Sequence, residues 1–169
     1  MDAQLLLEEA KKNEADIVSI RRHLHENPET GFDLNCTLDY VKSELEKIGL
    51  KPEKCGKSGL TATVGKGGRV FMLRADMDAL PIKEESDVEF ASSNGKMHAC
   101  GHDMHTAMLL GAARILKKHE DEIEGTVKLM FQPAEEIFEG SQDMIKDGLL
   151  ENPKVDGALM IHVMAGMPF

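Results

Sequence analysis

The stretch RVFMLRADMD, residues 69–78, decides the fold class. Residues 70–73 form a continuous apolar run, which is typical of a strand that is buried on both faces of a sheet. The run gives way to a charged segment that carries two carboxylates, Asp76 and Asp78. A buried strand followed at once by carboxylates predicts a sheet whose carboxyl edge presents polar side chains to a ligand.

Helical and strand patterns surround this stretch on both sides. Apolar spacing predicts helices over residues 3–26 and 34–48, the second ending at Gly49, and a strand over residues 59–65. Downstream we expect a helix over 103–119 with Asp103 as N-cap, a strand over 126–132, a short helix within 139–150 and a strand over 157–163. The alternation in the second half predicts an α/β fold with a largely parallel, twisted sheet.

Composition narrows the class of protein. The chain has 20 basic and 30 acidic residues, and a net charge of −10 argues against a nucleic-acid partner. No apolar run approaches the roughly 18 residues of a membrane span, and the N-terminal residues do not resemble a signal peptide. Three cysteines are few, and an odd number cannot all pair within one chain, so a disulfide framework is not expected. We therefore expect no membrane partner and a location in the reducing cytoplasm.

The stretch KMHACGHDMHTAM, residues 96–108, concentrates side chains that can bind a metal or move a proton. Cys100 and His102 are both ligand types that zinc-like divalent ions prefer. The same cysteine beside a helix N-terminus could instead be a thiolate nucleophile, with His102 or His105 as its base. The pair alone does not separate a metal site from a cysteine hydrolase.

Further carboxylates and a histidine follow the other predicted strands. Glu135 and Glu136 come after the strand that ends near Gln132, and His162 lies in the apolar frame LMIHVM. One glutamate could ligate a metal while its neighbour takes a proton from water. Asp76 or Asp78 could orient a ligating histidine, and Arg74 could pair with either. Together these groups favour a metal-activated water, while His23, His25 and His119 are predicted to be solvated.

Five blocks of the sequence are familiar as a set. RRHLHENPETGF, LRADMDALPI, MHACGHDMHTAMLLGAA, FQPAEE and the terminal IHV with AGMP resemble the M20 family of metallopeptidases. The resemblance is closest to its amidohydrolase branch, which includes N-acyl-amino-acid amidohydrolases, hippurate hydrolases and indole-acetyl-amino-acid hydrolases. It implies a zinc-peptidase-like, three-layer α/β catalytic domain with two divalent metal ions, which could be zinc, manganese, cobalt or nickel.

The resemblance also implies roles for individual residues. It makes Glu135 the general base and Asp76 an orienting carboxylate, and Arg74 stands where other branches of the family carry a ligating histidine. The implied metal ligands are Cys100, His102, Glu136 and His162. The implied reaction is hydrolysis of the amide bond in a small-molecule N-acyl amino acid.

Members of this family are more than twice as long as the chain. We therefore expect residues 1–169 to be the N-terminal part of a truncated catalytic domain, without the lid and dimerisation domain or the C-terminal part. Such a fragment should have weak or no activity, and it should self-associate through apolar surface around Leu109, Ile161 and Val163, whereas the full-length relative should be a homo-oligomer. Two alternatives stay open: a non-catalytic metal-binding fragment, and a cysteine hydrolase that uses Cys100.

Overall fold

A computed structural model describes residues 2–166, so Met167 and Pro168 of the terminal motif lie outside the described residues. The chain forms five α-helices, one short 3₁₀ helix and five strands within that range. They are α1 (Ala3–Lys12), α2 (Glu14–Glu26), α3 (Asn35–Lys47), β1 (Glu53–Cys55), β2 (Gly59–Gly65), β3 (Val70–Asp76), α4 (His102–Lys118), the 3₁₀ helix (Glu120–Glu122), β4 (Thr126–Gln132), α5 (Gly140–Lys146) and β5 (Gly157–Met160).

The five strands form one mixed sheet in the order β1-β2-β4-β3-β5. β3 runs parallel to both β4 and β5, whereas β2 pairs antiparallel with β1 and β4. The α/β class is confirmed, and the parallel character is confined to the three strands that carry the predicted site. An added antiparallel hairpin, which includes the short and unpredicted β1, completes the other half.

Helices cover both faces of the sheet, which gives the expected three layers. α3 and α4 pack on one face and α2 packs on α4, and the core between them includes Val41, Leu45, Leu110, Leu129 and Phe131. α5 lies on the other face, where Met72, Met130, Met144 and Leu149 form a second apolar cluster. Because successive side chains of a strand point to opposite faces of the sheet, β4 contributes Leu129 and Phe131 to the first core and Met130 to the second.

Register brings the strand ends together at one edge. In the parallel pairs, Asp76 lies opposite Gln132 and Arg74 lies opposite Met160. The segments that leave β3, β4 and β5 therefore emerge at the same level, as the rule for parallel sheets predicts. This edge receives the acidic pair after β4 and the N-terminus of α4.

Helix boundaries differ from the prediction in two places. The predicted helix over 3–26 is two helices, because Asn13 caps the end of α1 and the start of α2. The predicted N-cap role of Asp103 is wrong, since α4 begins at His102 and Gly101 is its N-cap with φ of 88°. The Asp103 carboxylate instead lies 2.8 Å from Nε of Arg21 and 2.7 Å from Nδ1 of His25.

The strands also differ in detail from the prediction. The expectation that β3 is buried on both faces is wrong at Phe71, which is 47% exposed because its ring lies against Gly157, a residue with no side chain to cover it. β5 ends at Met160, so His162 lies in the segment beyond the strand. Leu109 is only 6% exposed, against expectation, whereas Ile161 is 62% exposed as expected. No helix within residues 2–166 is long and apolar enough to span a membrane.

Candidate metal centre

His102 lies at the centre of the candidate site and is fully buried. Gly101 lets the chain turn sharply into α4 just before it, and a Cβ at Gly101 would lie 2.5 Å from a methyl group of Val163. Nδ1 of His102 donates a hydrogen bond to the main-chain carbonyl of Asp78 over 2.7 Å. Since a carbonyl only accepts, the proton resides on Nδ1 and the lone pair of Nε2 faces the site.

The two glutamates approach this lone pair from the turn after β4. Glu135 Oε2 lies 3.8 Å and Glu136 Oε1 lies 3.7 Å from Nε2 of His102. The turn that carries them is unusual, because Ala134 has a φ of 51° and is fully buried. A non-glycine residue in the left-handed region is rare and indicates a backbone that its surroundings hold in place.

Cys100 and His162 complete the set from two other segments. Sγ of Cys100 lies 3.4 Å from Nε2 of His162, and Nδ1 of His162 donates to the carbonyl of Val163 over 2.6 Å. The Nε2 lone pair of His162 therefore also faces the site, where its neighbour is the Cys100 sulfur. The ligand atoms of Cys100, His102 and His162 lie within 4.8 Å of one another, as do those of His102, Glu135 and Glu136.

An observation that is independent of the sequence motif indicates that His102 and Glu136 could bind a divalent metal. Nε2 of His102 and Oε1 of Glu136 are both buried, and neither has a hydrogen-bond partner among residues 2–166. Two buried polar atoms left without partners carry a free-energy cost, which a shared cation would remove. Their separation of 3.7 Å matches two ligands that each lie about 2 Å from one ion.

His105 and Asp76 form a supporting pair beside these ligands. Nδ1 of His105 donates to Asp76 Oδ1 over 2.6 Å, and its Nε2 accepts the main-chain N–H of Val163 over 3.0 Å. Both ring nitrogens of His105 therefore have partners outside the set of candidate ligands, whereas Nε2 of His102 and Nε2 of His162 face that set. Through this ring, Asp76 connects β3 to the segment that carries His162.

The charge on Asp76 is held by its neighbours. Burial alone would raise the pKa of this carboxyl, but the hydrogen bond from His105 and the charges of His102 and Arg74 lower it below its ordinary value. Nη1 of Arg74 lies 2.6 Å from Asp76 Oδ2, so the predicted pairing of Arg74 is confirmed for Asp76. The predicted orienting contact differs in detail, because the N–H of His102 goes to the Asp78 carbonyl and not to the Asp76 carboxylate.

The Cys100 thiol does not have the environment of a nucleophile. Burial and the carboxylates of Glu136, Glu135 and Asp76 raise the pKa of Cys100 to about 11. The helix N-terminus does not overcome these negative charges, so the thiol is protonated near neutral pH. A soft cation in the site would reverse this, because metal coordination deprotonates a cysteine.

Burial of the histidines was the feature hardest to find in the sequence. His25, predicted to be solvated, is buried between Asp103 and Glu84, at 2.7 and 2.9 Å from their carboxylate oxygens. His98 is also buried, and desolvation lowers its pKa to about 4. A helical charge pattern cannot reveal such partners, since Glu84 lies in a long irregular segment distant in sequence.

Comparisons with known proteins agree with this geometry. The profile described as "Peptidase family M20/M25/M40" matches residues 72–169. The IAA-amino acid hydrolase ILR1-like 5 of Arabidopsis thaliana is 51% identical over 150 residues, which cover 87% of this chain and 34% of that protein. The N-acyl-L-amino acid amidohydrolase of Geobacillus stearothermophilus is 44% identical over 163 residues, which cover 94% of this chain and 43% of that protein.

A solved structure shows that the fold is also similar to that of a protein described as a member of the M20 family. The Bacillus subtilis YXEP protein, described as a dinuclear metal binding peptidase from the M20 family, superposes with a TM-score of 0.88 at 37% identity. The match covers 94% of this chain and 45% of that one. The chain thus spans between about a third and a half of the length of the relatives described here.

Proposed function

Because the chain belongs to peptidase family M20/M25/M40, we propose that its site takes part in metal-dependent hydrolysis of the amide bond of N-acyl amino acids. The observation that carries the proposal is the pair of buried, unpartnered atoms, Nε2 of His102 and Oε1 of Glu136, that face each other within residues 2–166. The names of two relatives, an IAA-amino acid hydrolase and an N-acyl-L-amino acid amidohydrolase, support the substrate class.

The proposed ligands are Cys100, His102, Glu136 and His162. Their thiol, imidazole and carboxylate groups suit zinc, manganese, cobalt or nickel. Two ions per full-length subunit are proposed, in keeping with the dinuclear description of the Bacillus subtilis structure. When bound, such ions would polarise the amide carbonyl and lower the pKa of water.

The chain's own residues then move the proton. Glu135 is less deeply buried than His102, and its carboxylate faces the same space, 3.8 Å from Nε2 of His102. It takes a proton from the attacking water and delivers it to the amide nitrogen as the carbon–nitrogen bond breaks. Asp76 holds His105, which in turn holds the main chain beside His162, so that this ligand keeps its direction.

The domain organisation, oligomeric state and cellular compartment are also proposals. We take residues 1–169 as part of a catalytic domain, and we expect metal binding with weak or no turnover from this portion, since its relatives supply more than half of their length beyond it. The full-length protein is proposed to act on a small N-acyl amino acid as a homo-oligomer. A reducing compartment such as the cytoplasm would keep the free thiol of Cys100 available as a ligand.

A hydrolysis assay with Glu135→Gln tests the chemistry. Amino acid release from N-acyl amino acids by the metal-supplemented full-length protein should stop with a chelator and return with added metal. Release should fall at least about 100-fold in E135Q, with metal content unchanged, because the general base is lost. Equal activity in E135Q with full metal content would refute the role of Glu135.

The same assay separates the two alternatives. Release that survives a chelator but is abolished by iodoacetamide would favour a cysteine hydrolase, although the raised pKa of Cys100 argues against it. Metal binding by the full-length protein with no release of amino acid would favour a non-catalytic metal-binding role for these residues.

A further inference from the structure

We propose that Asp78 is a positioning residue that sets the Glu135–Glu136 pair through the main chain, an inference that rests on the metal site proposed above. Oδ1 of Asp78 accepts the N–H of Glu135 over 2.9 Å, and Oδ2 accepts the N–H of Glu136 over 3.2 Å. The carboxylate is fully buried. A buried carboxylate bound to two consecutive amides fixes the peptide units from which both glutamate side chains extend.

The turn that holds the glutamates requires such an anchor. Ala134, directly before them, is in the left-handed region with φ of 51°, and its N–H donates to the carbonyl of Gly31 over 3.0 Å. Its carbonyl accepts the N–H groups of Glu139 and Gly140, each over 3.2 Å. The two ends of the turn are thereby fixed by backbone contacts, and Asp78 holds Glu135 and Glu136, the first two of the four residues between Ala134 and Glu139.

Asp78 serves both sides of the candidate centre. Its carboxylate orients the glutamate turn, while its main-chain carbonyl accepts the Nδ1 proton of His102 over 2.7 Å. One residue therefore sets the direction of both unpartnered atoms, Nε2 of His102 and Oε1 of Glu136. A side-chain substitution separates the two contacts, because it removes the carboxylate and leaves the carbonyl in place.

Asp78→Asn is the sharpest substitution, since it keeps the size of the side chain. An amide can accept from one N–H, but its NH₂ group then faces the other N–H, so that one hydrogen bond is lost and two donors meet. We expect the glutamate turn to shift while the rest of the sheet edge is unchanged.

A double-mutant cycle with Co²⁺ measures whether Asp78 acts through Glu136. Co²⁺ affinity is determined for the wild type, D78N, E136Q and the double variant, together with the thiolate-to-cobalt absorption from Cys100. We expect D78N to weaken affinity by about 10- to 100-fold with the thiolate band retained. In the E136Q background, D78N should add little. Losses that multiply, or an unchanged affinity in D78N, would overturn the proposal.

Glu29→Gln is the matched control for general destabilisation. The Glu29 carboxylate also accepts two consecutive amides, those of Cys36 over 3.2 Å and Thr37 over 2.7 Å, at the N-terminus of α3. Because α3 contributes no proposed ligand, E29Q should lower thermal stability and leave Co²⁺ affinity within about 2-fold. An equal loss of affinity in E29Q and D78N would mean that D78N acts through stability alone.

Amide hydrogen exchange in the metal-free chain tests the positioning without any metal. Exchange at Glu135 and Glu136 should accelerate by about 10-fold or more in D78N, which corresponds to one lost hydrogen bond to a charged group. It should not change in E29Q. If the wild type fails to bind Co²⁺ while D78N still shows this acceleration, the metal site is refuted and the positioning role is supported. Unchanged exchange at both amides in D78N would overturn the positioning role itself.

Discussion

At the scale of single residues, the second ring nitrogen of each histidine decides what that histidine can do. His102 and His162 each give one N–H to a main-chain carbonyl, so that the Nε2 lone pair of each ring faces the candidate site, in His162 beside the Cys100 sulfur. His105 uses both nitrogens, one on Asp76 and one on the N–H of Val163. The three histidines are close enough to be taken for one ligand cluster, yet their hydrogen bonds give them different roles.

The substitutions His102→Gln and His105→Gln should therefore differ in their effect on metal affinity. Loss of His102 removes a proposed ligand and should weaken metal binding by more than about 100-fold. Loss of His105 removes a supporting hydrogen bond and should weaken it by about 10- to 100-fold. Metal titration of both variants, with thermal unfolding to show that each is folded, makes the comparison. A larger loss in H105Q would contradict the assignment.

At the scale of elements, one buried network joins α2, the start of α4 and the long segment between β3 and α4. Glu84 accepts hydrogen bonds from the hydroxyl of Ser86 over 2.5 Å, the N–H of Ser92 over 2.6 Å and Nε2 of His25 over 2.9 Å. Burial alone would raise the pKa of Glu84, but these contacts lower it to about 2 from an ordinary 4.5. The network thus depends on the charge of this carboxylate.

The stabilisation from Glu84 should depend on pH in a defined direction. Because its pKa is lower in the folded than in the unfolded chain, the contribution is complete above pH 4.5 and is lost as pH falls toward about 2. Glu84→Gln should lower the free energy of unfolding by about 2 kcal/mol at pH 7, as expected for hydrogen bonds to a charged group. The difference from the wild type should shrink below pH 4.5.

Urea unfolding at pH 7, 4.5 and 3 measures this difference. Glu46→Gln is the control, since Glu46 is an exposed member of a 3.9 Å pair with Lys42, and such pairs contribute less than about 1 kcal/mol. A difference between wild type and E84Q that grows as the pH falls would reverse the sign of the linkage and contradict the account.

At the scale of the whole molecule, β5 is an edge strand with apolar side chains on its surface. Leu159, Met160 and Ile161 are 49%, 59% and 62% exposed, and the outer edge of β5 pairs with no other strand within residues 2–166. An exposed apolar edge of this kind favours association between chains. We expect the 169-residue chain to self-associate, and Met160→Lys to reduce that association.

Light scattering over a range of protein concentrations checks this expectation. Ala3→Lys is a suitable control, because it also adds one positive charge but lies at the exposed start of α1, remote in sequence from β5. A wild type that stays monodisperse and monomeric at every concentration would disprove the association.

Local patterns predicted most elements, and geometry explains where they failed. The spacing in α3 and the strand patterns of β2, β3 and β4 were sufficient, because each element follows a regular periodicity. The N-cap at Gly101 depends on a tertiary contact, the close approach of Val163 to Gly101, that a linear pattern does not contain.

The sequence also predicted most of the residues of the candidate site, but not the contacts between distant segments. The strand-end rule brought Asp76, Glu135, Glu136 and His162 to the edge where the structure places them, and the motif around residues 96–108 added Cys100 and His102. The main-chain role of the Asp78 carboxylate was out of reach, because it links amides 57 and 58 residues away. The same holds for His25, whose partner Asp103 is 78 residues away.

Metal content of the purified 169-residue chain, measured by mass spectrometry beside Cys100→Ser, tests the central claim most directly. We predict about one or two equivalents of a transition metal in the wild type and clearly less in C100S, since the thiolate is one of the proposed ligands. A folded wild-type chain that holds no metal after exposure to zinc, manganese, cobalt and nickel would contradict the claim that these residues form a metal centre.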